Sequence, residues 1–283
     1  MGLVRLGLMV LLLSGWFLDA AHAQWDDSAQ QDESQLPPTD YGAGYKLVVF
    51  HQHREHAPGA GDDKNGQSPI TLDKTYPLIA SPLTAEARAF NSKIQQMSAK
   101  WWPGPHDNST RSDPDTHFKQ DCEPVGLAPP PEVEALSLTG HQMLPGVISA
   151  ACETYSFTIG YPHGEGNYWG FNWLMEQRRE IQASDVFDMK TGWLKALTVA
   201  ANAGRNVGFN GVQYPLDFSD TSHWVVTAQG LGLIYRDSAF LGFLEGGGGT
   251  FYLIPWSKLA PYLRKDGIVP QGDWSMTTEP GLM

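Results

Sequence analysis

Two strand-like segments separated by a turn constrain the fold of this chain most strongly. Residues 155–159 read Tyr-Ser-Phe-Thr-Ile, an alternation of apolar and hydroxyl side chains that is typical of a half-buried strand. Residues 161–167 combine glycines with Pro162, a composition typical of a turn. Residues 168–175 then return as a second strand that is rich in aromatic side chains. The sequence therefore predicts an antiparallel hairpin.

A helical pattern precedes this hairpin. Apolar residues recur there at steps of four and three, which places them on one helix face: Leu83, Ala87, Phe90, Ile94, Met97 and Trp101. Ser81-Pro82 is predicted to open the helix. Shorter helices are predicted at residues 194–203 and 257–263, and further strands at residues 45–50, 71–79, 224–227, 231–235 and 251–254. Together they predict an α+β fold, an antiparallel sheet or sheets with one long amphipathic helix and short helices packed on them.

The N-terminus has the layout of a cleavable secretory signal. Arg5 is followed by an uncharged apolar run of about 13 residues and by Ala21-His22-Ala23, and such a run is too short to span a bilayer. We therefore expect a periplasmic or secreted protein with no membrane span in the mature chain. The formal net charge of -12 disfavours nucleic acid and anionic lipid as partners and favours a basic protein.

The remaining chain is predicted to divide at a proline run. We expect a signal peptide at residues 1–23, a flexible leader at 24–44, an N-terminal α/β subdomain at 45–131, a C-terminal domain at 132–270 and a flexible tail at 271–283. The two cysteines, Cys122 and Cys152, are predicted to form a disulfide in an oxidising compartment, where the constraint would contribute about 3–4 kcal/mol. Two separate thiols are the alternative.

The order of motifs in the second half resembles a known family. Cys152 and Tyr155 lie in one strand, and the motifs that follow are Tyr-Pro-His-Gly-Glu-Gly at 161–166, Phe171-Asn172, Ser184-Asp185-Val186-Phe187, Gln-Gly-Leu-Gly-Leu-Ile-Tyr at 229–235 and the segment 251–263. In the first half, Thr75-Tyr76-Pro77 ahead of a predicted helix with Phe90-Asn91 fits the same known family. This order resembles the domain of unknown function that the extracellular region of the anti-sigma factor RsiV shares with several bacterial envelope proteins.

The resemblance extends over residues 71–266 and implies an α+β fold and export. For the best-known member it also implies binding of lysozyme by the extracellular region. The turn at residues 161–166 departs from the Gly-Gly-Ala-His of the family, so the loop surface differs. The sequence also shows neither a membrane-spanning anchor nor a cytoplasmic sigma-binding segment, so a transmembrane signalling role is not expected.

Three neighbouring histidines are candidate metal ligands. In an extended strand His51 and His53 project from the same side, and His56 follows three residues later. Imidazoles placed in this way can hold zinc or copper, with Glu55 as an oxygen ligand. The alternative is a polar strand end that enters a loop.

We expect a binding surface on the loops of the second half, at His163, Glu165, Asn167, Tyr168 and Glu245. His163 and Glu165 have the groups of an acid–base pair, but residues two apart among glycines also form an ordinary solvated turn. The glycine run at 246–249 lacks the Lys-Ser/Thr of a phosphate loop, and the sequence contains no recognised nucleophile motif.

These patterns predict a non-catalytic envelope binding protein that needs no cofactor and recognises a cationic protein such as a lysozyme. A metal-dependent envelope hydrolase built on the histidines is one alternative. A structural envelope protein without a ligand is the other.

Overall fold

The chain forms two stacked sheets with helices on both outer sides. A computed structural model describes residues 30–35, 38–40, 43–56, 70–100, 116–126, 142–158, 165–203, 216–236, 249–270 and 272. The predicted α+β class is confirmed. The predicted signal peptide lies outside the described residues, as does the predicted tail apart from residue 272.

The larger sheet contains eight strands, in the order β1-β3-β4-β5-β6-β7-β8, and β2 also pairs with β3. These strands are β1 (Gln30–Gln35), β2 (Thr39–Asp40), β3 (Lys46–His56), β4 (Ile70–Ser81), β5 (Thr116–Pro124), β6 (Val147–Thr158), β7 (Glu165–Leu174) and β8 (Arg179–Glu180). The smaller sheet has the order β11-β10-β9, formed by β9 (Trp224–Val226), β10 (Gly230–Arg236) and β11 (Gly249–Pro255). The helices are α1 (Ala85–Lys100), α2 (Ala183–Val186), α3 (Trp193–Ala203) and α4 (Trp256–Leu259).

The predicted hairpin is confirmed as β6 and β7, which pair antiparallel from Val147↔Leu174 to Ser156↔Glu165. The sheet is nevertheless mixed, because β4 and β5 pair parallel. Helix α1 lies between these two strands in the chain, and parallel neighbours require such a crossover connection. The other strand pairs of the described sheets are antiparallel, as predicted, and β4–β5 is the exception.

Helix α1 packs on one side of the larger sheet through Ala87, Phe90 and Ile94 of the predicted apolar face, whereas Leu83 precedes the helix and is exposed. Phe90 is fully buried, and its ring lies 6.0 Å from that of Phe171 and 6.5 Å from that of Trp173. Asn91 clamps the helix to β4: its Oδ1 accepts from Ile79 N at 2.8 Å and its Nδ2 donates to Ile79 O at 3.0 Å. The helix begins at Ala85 and not at Ser81-Pro82, because Thr84 Oγ1 accepts from Ala87 N and caps the first turn.

The smaller sheet packs on the other side of the larger one, at β6 and β7. Gly170 allows this approach, since a Cβ there would lie 1.7 Å from the Trp224 carbonyl oxygen. Two residues further along β7, the buried Asn172 donates to Trp224 O at 2.6 Å and accepts from Val226 N at 2.8 Å. The side chain of Asn172 therefore bonds the backbone of β9 as a neighbouring strand would.

The outer side of the smaller sheet is covered by the short helices and their flanking segments. Trp193 on α3 stacks on Phe187 at 4.9 Å between ring centroids, and both rings meet Trp224 edge-on. Trp256, the first residue of α4, is fully buried and donates from Nε1 to Thr227 O at 3.0 Å. In this second core layer the buried Trp224 and Trp256 both donate from Nε1 to backbone carbonyls, of Phe218 and Thr227. None of the helices in the described ranges is long and apolar enough to span a bilayer.

Part of the predicted flexible leader belongs to the sheet. Residues 30–35 and 39–40 pair antiparallel with β3, and Ala43 is buried in the core. The two registers, Gln35↔Phe50 and Thr39↔Leu47, are offset by one residue, and both segments pair with the same strand. Composition alone did not show this, because an edge strand can be held by backbone hydrogen bonds without apolar side chains.

The predicted boundary near residue 131 falls between β5 and β6, which pair with each other in the larger sheet. Strands from both predicted halves therefore share one sheet, and the division into a subdomain and a domain stays a prediction. The predicted disulfide is confirmed, since Cys122 and Cys152 are bonded and lie directly opposite each other in this strand pair.

We predict that Asn172→Ala lowers the free energy of unfolding by about 2–5 kcal/mol, because the Trp224 carbonyl and the Val226 amide lose their partner in a buried site. Urea unfolding followed by tryptophan fluorescence measures the change. Asn167→Ala is the matched control, on the same strand but exposed, and should change stability by less than about 0.5 kcal/mol. Equal effects of the two substitutions would contradict the role assigned to Asn172.

We also predict that reduction of the Cys122–Cys152 bond lowers the free energy of unfolding by about 3–4 kcal/mol, because the unfolded chain then loses the constraint of a loop with a separation of 30 residues. Urea unfolding with and without a reducing agent measures this difference. The double variant Cys122→Ala/Cys152→Ala should be insensitive to the reducing agent. An identical unfolding midpoint for the oxidised and reduced wild-type protein would refute the prediction.

Candidate functional site

The smaller sheet covers one side of the larger sheet at β6 and β7. On that same side, polar residues lie on the neighbouring strands β3 and β4. We call this surface the polar face, and its residues on the described strands are His51, His53, Asp73, Thr75, Glu153 and Tyr155. Residues directly opposite each other in neighbouring strands share a side of a sheet, so the register arranges them in rows. One row joins His51, Thr75 and Glu153 through the register position of residue 121. The other joins His53, Asp73 and Tyr155 through that of residue 119.

Two side-chain contacts link β3 to β4 within these rows. His53 Nδ1 lies 2.7 Å from Asp73 Oδ1, and His51 Nδ1 lies 3.1 Å from Thr75 Oγ1. The His53 and Asp73 side chains are 40% and 49% exposed, so solvent or a partner can reach this pair. Both imidazoles therefore use the same nitrogen toward β4.

The rows become buried where the smaller sheet covers the larger one. Glu153 is 9% exposed, and Tyr168, its opposite residue on β7, is 7% exposed and packs in the core. Both residues have further interaction partners. The β3–β4 side of the polar face is accessible at His53 and Asp73.

The structure describes only part of the predicted binding surface of the second half. Tyr168 is 7% exposed and packs in the core, and its role in binding stays a prediction. Asn167 is exposed, but strand alternation puts it on the α1 side of the sheet, opposite to Tyr168. Glu165 begins β7 opposite Ser156. His163 and Glu245 lie outside the described residues.

The candidate metal ligands and the β7 residues are also far apart. Strands β4, β5 and β6 lie between β3 and β7, and four spacings of about 4.8 Å place the two groups about 19 Å from each other. His51 and His53 share one side, as predicted, whereas His56 is an odd number of residues away from both. In the described ranges there is no group of three or more His, Cys, Asp or Glu side chains that would hold a metal ion.

Asp73, Thr75 and Glu153 belong to the polar face but were not predicted as site residues. The sequence did indicate that Asp73 and Thr75 share one side of a strand, because polar residues recur there at every second position. The pairing of that strand with β3 was needed to bring them beside the histidines. Glu153 carried no comparable signal, since it stands next to Cys152 in a segment that reads as core.

One motif of the family resemblance has a structural role. Asp185 accepts two hydrogen bonds from Arg179, at 2.7 and 2.8 Å, and one from Gln182 N at 2.7 Å, and so fixes the first turn of α2. Burial raises the pKa of Asp185, but the hydrogen bonds from Arg179 and from the Gln182 amide outweigh it and lower the pKa below the usual 3.8.

No protein-family model and no curated protein matches the chain. Two solved structures of DUF3298 family proteins are similar to it. One, from Pseudomonas aeruginosa PAO1, is 12% identical with a TM-score of 0.49, over 82% of this chain and 100% of that chain. The other, from Bacteroides fragilis NCTC 9343, is 9% identical with a TM-score of 0.47, over 84% of this chain and 95% of that chain.

We predict that Asp185→Asn destabilises the protein at pH 7 and that the difference from wild type shrinks as the pH falls below about 4. The folded-state pKa of Asp185 lies below its ordinary value, so its contribution is present above that ordinary value and is lost as the pH falls through the folded-state pKa. Urea unfolding at a series of pH values measures this. Glu176→Gln, at an exposed turn position, controls for the loss of one carboxylate. A difference that stays constant down to pH 2 would rule out this linkage.

Proposed function

We propose that this chain is an exported, non-catalytic envelope binding protein of the RsiV-like family, and that its polar face recognises a cationic protein such as a lysozyme. The observation that carries the proposal is the polar face itself. It is a surface formed by regular strands, half-exposed at β3 and β4, with the Asp73 carboxylate accessible within it.

Charge supports a basic partner. The chain has a formal net charge of -12, so its field attracts a cationic protein over several ångströms and repels an anionic one. Such complementarity mainly speeds association and selects the partner. Asp73 provides a local contact for a lysine or arginine at the same place.

The hydrogen-bond pattern of the polar face supports binding over catalysis. Nucleophilic catalysis by a hydroxyl needs one imidazole that contacts both the hydroxyl and an orienting carboxylate. Here the contacts are divided between two imidazoles, with His51 beside Thr75 and His53 beside Asp73. Each pair joins adjacent strands, which holds the surface in one shape.

The Cys122–Cys152 bond supports export, because disulfides form and persist in the periplasm and outside the cell and are rare in the cytosol. The apolar N-terminal segment and the resemblance to envelope proteins support the same compartment.

We predict that the mature chain binds a cationic lysozyme at low salt and that its affinity falls steeply as salt is added. Isothermal titration calorimetry in the presence of EDTA, with lysozymes of several classes, measures this. Asp73→Asn should weaken binding by about two- to fivefold, the usual contribution of an accessible charge pair.

Glu176→Gln is the matched control, since it removes one carboxylate at an exposed turn between β7 and β8 and should leave the affinity unchanged. Absence of binding to every lysozyme at low salt would reject the proposal. Equal weakening by both substitutions would show that net charge alone attracts the partner and that the polar face is not the contact.

A further inference from the structure

We infer that the outer side of helix α3 docks on an anionic lipid bilayer. This side of the helix and the turn before it carry three of the four large apolar side chains that are exposed in the described ranges: Met189 at 53%, Leu194 at 39% and Val199 at 63%. We call these residues, together with Lys190 and Lys195, the α3 surface. The inference goes beyond the proposed recognition of a cationic protein, which uses the polar face, and either one can fail without the other.

Helix α3 lacks the polar outer side that a surface helix usually has. Its sequence, Trp-Leu-Lys-Ala-Leu-Thr-Val-Ala-Ala-Asn-Ala, contains one charged residue. Its buried side consists of Trp193, Leu197 and Ala201. Thr198 adds little polarity to the remaining surface, because its Oγ1 donates to Leu194 O at 2.7 Å within the helix. A helix that is apolar on nearly all sides is usually covered on all of them, so the outer side of α3 is suited to a partner that is itself partly apolar.

Hydrogen bonds fix the turn that precedes α3. The Asp188 Oδ1 accepts from Lys190 N at 3.0 Å. The Asp188 backbone oxygen accepts from Thr191 N at 3.0 Å and from Thr191 Oγ1 at 2.7 Å. Met189 and Lys190 therefore extend into solvent from an ordered turn directly before the helix, and the α3 surface is a short stretch of fixed backbone.

The local charge is positive although the chain as a whole is acidic. Lys190, Lys195 and Lys258, the last on helix α4, which contacts α3, are exposed, and none of them forms an ion pair with a described residue. From residue 186 to residue 203 the sequence contains one acidic residue, Asp188. The formal net charge of -12 disfavours anionic lipid at long range, but salt screens it beyond about 8 Å at physiological ionic strength. At contact the three lysines therefore determine which charge the surface attracts.

Apolar side chains beside lysines match the layers of a bilayer surface. Leucine, valine and methionine side chains enter the boundary between headgroups and acyl chains, while the long lysine side chains extend to the lipid phosphates. Each lysine near an anionic bilayer strengthens binding by about fivefold. A second copy of the chain fits less well, because a two-fold contact through this surface would bring its lysines against those of the other copy.

The test is vesicle binding by the full mature chain at about 0.15 M salt. Sedimentation measures binding to vesicles of phosphatidylcholine with an equal amount of phosphatidylglycerol, and to vesicles of phosphatidylcholine alone. We expect binding to the anionic vesicles and binding that is about tenfold weaker or less to the neutral ones. Lys190→Gln and Lys195→Gln should each weaken binding by about fivefold. Val199→Ser should weaken it by a similar factor, because less apolar surface leaves water.

Lys46→Gln and Leu83→Ser are the matched controls. Both residues are exposed and lie on other parts of the chain, Lys46 at the start of β3 and Leu83 before α1, so their variants should bind like wild type. An environment-sensitive dye reports insertion directly. Attached to the variant Val199→Cys, its emission should shift to shorter wavelength on anionic vesicles, and attached to Leu83→Cys it should not.

Circular dichroism verifies the fold of each variant. Absence of binding to the anionic vesicles would overturn the inference and would leave an acidic protein or a second copy as the occupant of the α3 surface. Equal weakening by Lys195→Gln and Lys46→Gln would also overturn it, since binding would then depend on net charge alone. So would vesicle binding with unchanged emission from the dye at residue 199.

Discussion

The close approach of β7 to β9 is the constraint on which the rest of the structure depends. Gly170 removes the side chain that would collide with the Trp224 carbonyl, and Asn172 bonds the backbone of β9 two residues later. The contact between the two sheets therefore combines apolar packing with a close backbone approach at Gly170 and two hydrogen bonds of the Asn172 side chain. The Phe-Asn dipeptide recurs in α1, where Phe90 packs against Phe171 and Asn91 clamps β4. Helix α1 and the smaller sheet are thus each joined to the larger sheet by an asparagine side chain that hydrogen-bonds to strand backbone.

The sequence predicted the elements with a clear apolar pattern and missed the strands that are mostly polar. The hairpin of β6 and β7 and the apolar face of α1 were visible because their apolar side chains recur at regular spacing. Strand β5 was not, since its sequence Thr-His-Phe-Lys-Gln-Asp-Cys-Glu-Pro has polar residues at both parities. It is nevertheless an inner strand of the sheet, and the buried Gln120 and Glu123 show that polar residues line both of its sides there.

The candidate site was predictable in part. The spacing of His51 and His53 placed them on one side of a strand, but their partners Asp73 and Thr75 depend on the register of β3 with β4, which no local pattern contains. Asn167 and Tyr168 show that neighbours in the sequence need not share a surface. They are adjacent in a segment expected to form one surface, yet strand alternation gives one of them to solvent and the other to the core.

The sheet edge formed by β1 and β2 also bears on how copies of this protein meet. A bare sheet edge offers unpaired amides and carbonyls to any extended chain, and that is a common route to aggregation. Here the outermost strand reads Gln-Gln-Asp-Glu-Ser-Gln with a shift of register after it, and the opposite end of the sheet is only two residues long. A charged strand on one side and a very short one on the other make poor templates for pairing with the sheet of a neighbouring copy.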